Sequence, residues 1–407
     1  MVANDYVDTL NGLFQNVYAK EVSNLIPNNC KLTKEVPFVS KDKRNGSDYK
    51  QAVVLKSEHG VTYAGSDGDL ITFAAVVPGL TKQASIVPSS MYLRSAITYE
   101  ALGRSQNSEA SFANATAHVV QNMLQSISNK YENQMFYGGV GLASVSAVNT
   151  STKVITISTA SWASGIFVGA EGMKLDAYDV TSTTQRTNVA TITAVDLDAR
   201  TITVDTLPAS LVATDLLYES GAKGKEFIGI HKMLSTTSGT IFGLETSSYS
   251  LWQANQSAVG GALSFAKISI GIAKAVAKGV TGKLSLFVNP ATWSNLLTEQ
   301  TAQRVFHEGG MSEYDQGAKK IMFFSQNGEI EIISSPFVKE GFAYALDLSC
   351  FLRIGSKDIS FEHPIQDGKF IMELENSNAY QIFAHTDSAL FCSALGKQLL
   401  FTGIVNS

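Results

Sequence analysis

Six histidines are the natural place to look for chemistry, because a general base or a zinc ligand needs partners at fixed spacing. His59, His118, His231, His307, His363 and His385 are scattered, and none pairs with another at a helical or zinc-binding interval. His118 falls inside a long helical pattern, where packing or an interface suits it better than proton transfer. No Gly-x-Ser-x-Gly elbow presents a serine in a triad order. Gly138-Gly139-Val140-Gly141 loosely matches a dinucleotide fingerprint, but it follows a helical pattern instead of a strand and reads as a helix stop. Gly221-Ala222-Lys223-Gly224-Lys225 lacks the P-loop spacing and the Ser or Thr after the lysine. Asp67-Gly68-Asp69 offers too few oxygens for calcium and has the composition of a turn. The three cysteines (Cys30, Cys350, Cys392) are far apart and without metal spacing, which fits reduced, buried thiols. These residues describe no enzyme, no metal site and no cofactor site.

Composition narrows the class further. The chain has 407 residues, 44% hydrophobic and 16% charged, which describes a folded protein of two or three domains with a weakly charged surface. A formal charge of −5 gives no broad basic field for gripping duplex phosphates. The cations Lys31, Lys34, Lys41, Lys43 and Arg44 have no interleaved aromatics, so they suit a solvated or partner-facing arm. The start carries no basic and apolar secretion signal, and Leu263–Val280 is interrupted by Lys267, Lys274 and Lys278, so it reads as a surface helix.

Periodicity then supplies the elements. Asp5–Ile26 has helical spacing and stops at Pro27; residues 28–48 are broken and polar, an extended arm. Tyr49–Ser57 and Leu70–Val77 read as two strands of a long hairpin with a flexible tip at Gly65–Asp69. Arm and hairpin both lack the apolar surface to stabilise themselves within one subunit, so neighbours are expected to order them. Ala110–Tyr137 repeats Val119, Val120, Met123, Leu124, Ile127, Tyr131 and Met135 at three- and four-residue steps, a helical rod of about 40 Å. From Ala143 to Tyr218, alternating Thr, Ser and Val give Lys153–Ser158, Asn188–Val195 and Thr201–Asp205 as strands of a small inserted barrel or sandwich. The remainder mixes helices at Leu263–Lys278 and Ala291–Leu297 with strands at Leu284–Val288, Ile321–Ser325, Ile330–Ser334, Ala343–Asp347 and Ile371–Leu374. One or two more follow within Ala379–Phe401. The fold class is α+β.

This order of pieces resembles the HK97-fold major capsid proteins of tailed double-stranded DNA bacteriophages. The strings that carry the likeness are Gly46-Ser47-Asp48-Tyr49 before Ala52-Val53-Val54, Phe136-Tyr137-Gly138-Gly139, and Gly243-Leu244-Glu245-Thr246-Ser247 with Leu251-Trp252. To these add Phe287-Val288-Asn289-Pro290-Ala291-Thr292-Trp293 and the closing Leu399-Leu400-Phe401-Thr402-Gly403-Ile404. The resemblance implies an N-terminal arm (1–48), an extended loop (49–80) and a peripheral domain with its spine helix (81–142). An inserted β-domain (143–220), a mainly axial domain (221–350) and returning strands (351–407) would complete the chain. It also implies self-assembly into pentamers and hexamers of an icosahedral shell in the host bacterial cytoplasm, around double-stranded DNA that is contacted weakly. A separate scaffolding protein, a portal and decoration proteins are the implied partners, and no membrane is involved. Inter-subunit contacts are expected from Lys34, Arg44, Lys50, Lys56, His59, Tyr63, Asp67, Asp69 and Phe73. Two other readings stand beside this one: an encapsulin-like compartment holding a cargo protein, and a β-rich tail or adhesin component that binds through the inserted domain.

Overall fold

The computed structural model describes residues 30–40, 48–63, 71–99, 109–181, 183–299, 321–326, 328–361, 371–374 and 377–406. The predicted helix Asp5–Ile26 lies outside them. Among the described residues are two open sheets, two small two-stranded sheets, one long helix with several shorter ones, and a closed barrel. The six-stranded sheet has the order Asn255–Gly261, Leu399–Ile404, Phe342–Leu346, Leu284–Val288, Gly328–Ser334, Ile321–Ser325. Leu284–Val288 is buried at every position, Ser285 included, because both faces of the strand are covered. Helix Phe265–Val276 lays Ile268, Ile272 and Ala275 into the same core, and the Ser264 hydroxyl accepts from the Lys267 N–H to cap it. Gly271 lets that helix approach, since a Cβ there would sit 2.5 Å from Phe401 Cε1.

The second sheet is built around the long strand Ala379–Cys392. Ser89–Thr98 pairs along one edge of it, and Phe351–Ser360 and Ile371–Glu373 pair along the other. Helix Glu109–Tyr137 crosses this sheet, packing Met123 and Ile127 on Ile97, Ile382 and Ala384. Its last turns carry Tyr131, Met135, Phe136 and Tyr137 into the main core. The helix stops where Gly138 donates to the Gln134 carbonyl and Gly139 takes φ of 75°. Gly138 itself is held between backbones, 2.3 Å from the Phe227 carbonyl for any added Cβ.

Six antiparallel strands close the barrel in the order Leu216–Glu219, Ala143–Asn149, Val154–Ile157, Thr201–Val204, Ala190–Asp196, Lys174–Tyr178. Alternate residues fill it, among them Val145, Ile155, Leu175, Ile192, Ile202 and Val204. Closure leaves no free sheet edge. Arg186 reaches Asp215 with two bonds of 2.9 Å and ties together two loops at one end of the barrel.

Two expectations need correction. The arm is not uniformly extended, and its order does not depend on neighbours over residues 30–40. Leu32–Glu35 forms a helical turn and Phe38–Ser40 joins Phe351–Ser360 as a parallel edge strand, with Leu32 and Val36 buried. The cause is Glu132 of the long helix, fully buried, whose carboxylate accepts from the N–H groups of Lys31 (3.1 Å), Leu32 (2.7 Å) and Thr33 (2.7 Å) and from the Thr33 hydroxyl. The carboxylate sits at the N-terminus of the turn, where free amides and the backbone dipole favour an anion. Arg353 adds bonds to the Val36 and Pro37 carbonyls. Burial pushes the Glu132 pKa up, and the four donated bonds oppose that rise.

The second correction concerns the hairpin. Tyr49–Lys56 pairs with Leu80–Ile86, not with Leu70–Val77, so the loop does not end at residue 80. Pro78 has no N–H to give to a ladder, and the apolar run before it faces solvent instead of a core. Glu132→Ala is expected to leave three amides, that of Leu32 fully buried, and a hydroxyl without their acceptor, lowering unfolding free energy by about 3 kcal/mol in urea titration. Thr33→Val, which removes one donor, should cost about 1 kcal/mol.

Candidate inter-subunit surface

The hairpin is fixed at its base and uncovered at its end. Tyr49, Leu55, Ala84 and Ile86 turn into the main core. The Ser85 N–H donates to the Phe242 carbonyl, the Ser85 hydroxyl to Asp48, and the Lys82 ammonium lies 5.3 Å over the Tyr249 ring. Beyond Lys56 the ladder stops. Residues 57–63 and 71–79 run on with few internal bonds: His59 N–H to Val77 O at 3.1 Å, and Ala74 N–H to the Thr62 hydroxyl at 2.7 Å. On this section Tyr63 is 92% exposed, Val76 87% and Phe73 86%, with Val54 and Val61 exposed alongside. Large apolar groups gathered on a two-stranded projection are an interaction surface in physical terms, since leaving them in water has a free-energy cost.

The sequence-predicted contact residues fall into three groups. Lys50, Lys56, His59, Tyr63 and Phe73 all lie exposed on the hairpin. Lys34 is exposed on the arm's helical turn, away from them. Arg44, Asp67 and Asp69 lie outside the described residues. Val54, Val61 and Val76 were not singled out from sequence. Val76 was hidden because Leu70–Val77 has strand-like composition, which suggests a paired and half-covered segment.

Groups with perturbed acidity cluster elsewhere. The His231 Nδ1 atom lies 2.9 Å from the Tyr344 hydroxyl, which donates to the Tyr137 hydroxyl at 3.4 Å. The Lys339 N–H donates to Tyr137 at 2.8 Å, and the Lys339 ammonium to the Gly141 carbonyl at 2.9 Å. Burial holds His231 down to about 3, and Lys339 at about 7; it pushes both phenols up. Such shifts often mark active sites, but Tyr137, Tyr344 and Lys339 are buried, and His231 is half-buried against the Phe342 ring at 4.7 Å. They act as core polar groups. A groove of about 680 Å³ between the long helix and the barrel is lined by Asn129, Lys130, Asn133, Ile166, Met173 and Phe337, with Lys130 paired to Glu219 at its rim. It holds no histidine or cysteine. Among the described residues no group of His, Cys, Asp and Glu is placed to hold a metal ion.

No family model and no curated protein matches this sequence. Solved structures do. The capsid asymmetric unit of cyanophage A-1(L) is similar over 96% of this chain and 96% of that one, at a TM-score of 0.58 and 10% identity. The capsid of an empty GTA particle is similar over 95% and 94%, at 0.50 and 8%. The fold is that of a capsid subunit. Sequence identity this low carries the likeness in fold alone. No helix of the described residues is long and apolar enough to cross a membrane.

Two measurements on the isolated protomer probe the hairpin and the core polar cluster. Tyr63→Ser with Phe73→Ser is expected to change unfolding free energy by less than about 0.5 kcal/mol, whereas Leu55→Ala at the base should cost about 3 kcal/mol. For His231 the folded pKa is depressed below the unfolded 6.5, so the unfolded chain binds the extra proton and stability rises with pH between about 3 and 6.5. His231→Gln should flatten that part of the stability profile.

Proposed function

We propose that this chain is the major capsid protein of a tailed bacteriophage and assembles with copies of itself into pentamers and hexamers of an icosahedral shell around double-stranded DNA. The observation that carries the reading is the hairpin: its base is built into the subunit's own core while Tyr63, Phe73 and Val76 stand in solvent. A second copy laid against that end would bury them. Ring-forming contacts of this head-to-tail kind close on themselves, and rings of two sizes close a shell. Permanent interfaces in such assemblies bury on the order of 2,000–5,000 Å². The likeness of fold to a cyanophage capsid subunit supports the same reading across the whole chain.

On this account the net charge of −5 suits a container that must let its DNA go. The exposed Lys56 and His59 adjoin the apolar end and would select the register of the neighbour more than they strengthen the contact. A separate scaffolding protein, a portal and decoration proteins are the partners this role implies. The subunit carries out no chemistry; its product is geometry.

Expression of the full chain with its neighbouring structural genes, followed by electron microscopy, tests the proposal. Closed shells are expected from the parent chain, and Tyr63→Asp with Phe73→Asp should leave soluble, folded capsomers or protomers that do not close. Persistent monomers of the parent under all assembly conditions, or normal shells from the double variant, would overturn it. Particles filled with a cargo protein and free of DNA would instead identify an encapsulin-like compartment.

A further inference from the structure

The barrel is joined to the body by two chain crossings and one loop, and a single buried cation touches this seam. Residues 138–142 lead into the barrel from the long helix, and residues 219–229 lead out, with Gly229 N–H donating to the Gly138 carbonyl. Residues 335–341 clasp the barrel from the six-stranded sheet. Gly165 N–H donates to Pro336 O, Glu340 N–H to Trp162 O and Gly341 N–H to Ala160 O, all at 2.9–3.0 Å. Arg200 of the barrel makes two bonds of 3.1 Å to Glu340. There is no slack: a Cβ on Gly341 would lie 2.7 Å from the Ala160 carbonyl, and one on Gly165 2.9 Å from Pro336.

Lys339 stands in the middle of that loop. Its side chain is buried, and its ammonium meets one acceptor, the carbonyl of Gly141 in the incoming crossing, and the face of Tyr137 at 4.0 Å. An ammonium has three hydrogens to satisfy. Among the described residues the groups around it offer no counter-charge. His231 approaches from helix Ile230–Ser235, Tyr137 from the long helix and Tyr344 from the sheet. Glu340, next in the chain, is turned to Arg200, and Glu226 is turned to the Gly139 N–H. A neutral amine fits this place, donating once and resting on the ring. A cation there has one acceptor and one ring face for three N–H groups and draws water toward the crossing it touches.

We propose that Lys339 is a charge-sensitive wedge at the root of the barrel: the neutral amine keeps the seam closed, and the ammonium opens it. The device acts on both sides of the seam, because the same residue braces the incoming crossing with its side chain and lies in the clasping loop with its backbone. It is independent of the assembly proposed above, since every group involved belongs to one protomer.

Amide exchange of residues 158–167 and 335–342 in the full chain, corrected for the intrinsic rate at each pH, reads the opening directly. The open seam returns Lys339 to water, where it holds its proton to about pH 10, while the closed seam releases it near the value of about 7 that burial imposes. The opening equilibrium should therefore fall about tenfold for each pH unit between about pH 7 and pH 9, the slope of one proton. Lys339→Met should be flat over that range, and Arg200→Gln should raise opening equally at every pH. A flat parent, or the parent's slope retained in Lys339→Met, overturns the proposal. If the Met variant does not fold, the parent labelled with 13C at lysine Cε decides the matter. One lysine titrating near neutrality is expected, and all lysines titrating near pH 10 would refute it.

Discussion

A rigidly held projection with an apolar end that its own subunit does not cover is the constraint from which the rest of this molecule can be understood. Rigidity comes from the base, where Leu55, Ala84 and Ile86 are core residues and Ser85 is bonded to Asp48 and to the Phe242 backbone. Exposure comes from the end, where Tyr63, Phe73 and Val76 have no cover among the described residues. A floppy hairpin would lose much of any binding free energy to ordering. One already aimed by its base loses less. The two sheets and the long helix are what do the aiming.

The arm follows a different logic. Three consecutive backbone amides converge on one buried carboxylate, so the segment around Leu32 is ordered by Glu132 and not by another molecule. Order and assembly are therefore separable here. The subunit completes its own fold through residues 30–40 and the hairpin base, and leaves uncovered the section where no ladder or core reaches. The barrel is likewise part of the body, with its turns threaded against residues 335–341, and is not a loosely tethered module.

Periodic elements were legible in the sequence because burial wrote itself into residue type. Leu284–Val288 is covered on both faces and is apolar at every position but Ser285, and the helix Phe265–Val276 shows a clean inward stripe. Strands Ser89–Thr98 and Leu80–Ile86 were missed: their polar, partly exposed positions resemble loop. The arm turn was missed because its cause lies about a hundred residues away, in a glutamate that looks from sequence like the polar side of a helix. Of the predicted contact residues, Tyr63 and Phe73 were readable as apolar groups beside a turn. Val76 was obscured by a composition that suits a paired strand, and Lys339 gave no local signal at all, since nothing about an isolated lysine announces burial.

The most direct measurement compares hydrogen exchange at residues 57–63 and 71–79 in isolated protomers and in assembled particles, with residues 49–56 and 80–86 as the internal reference. The account predicts that the reference is protected in both states, and that the distal section exchanges freely in the protomer and becomes protected in the particle. Protection of the distal section in a lone protomer, or free exchange there in an intact shell, would contradict it.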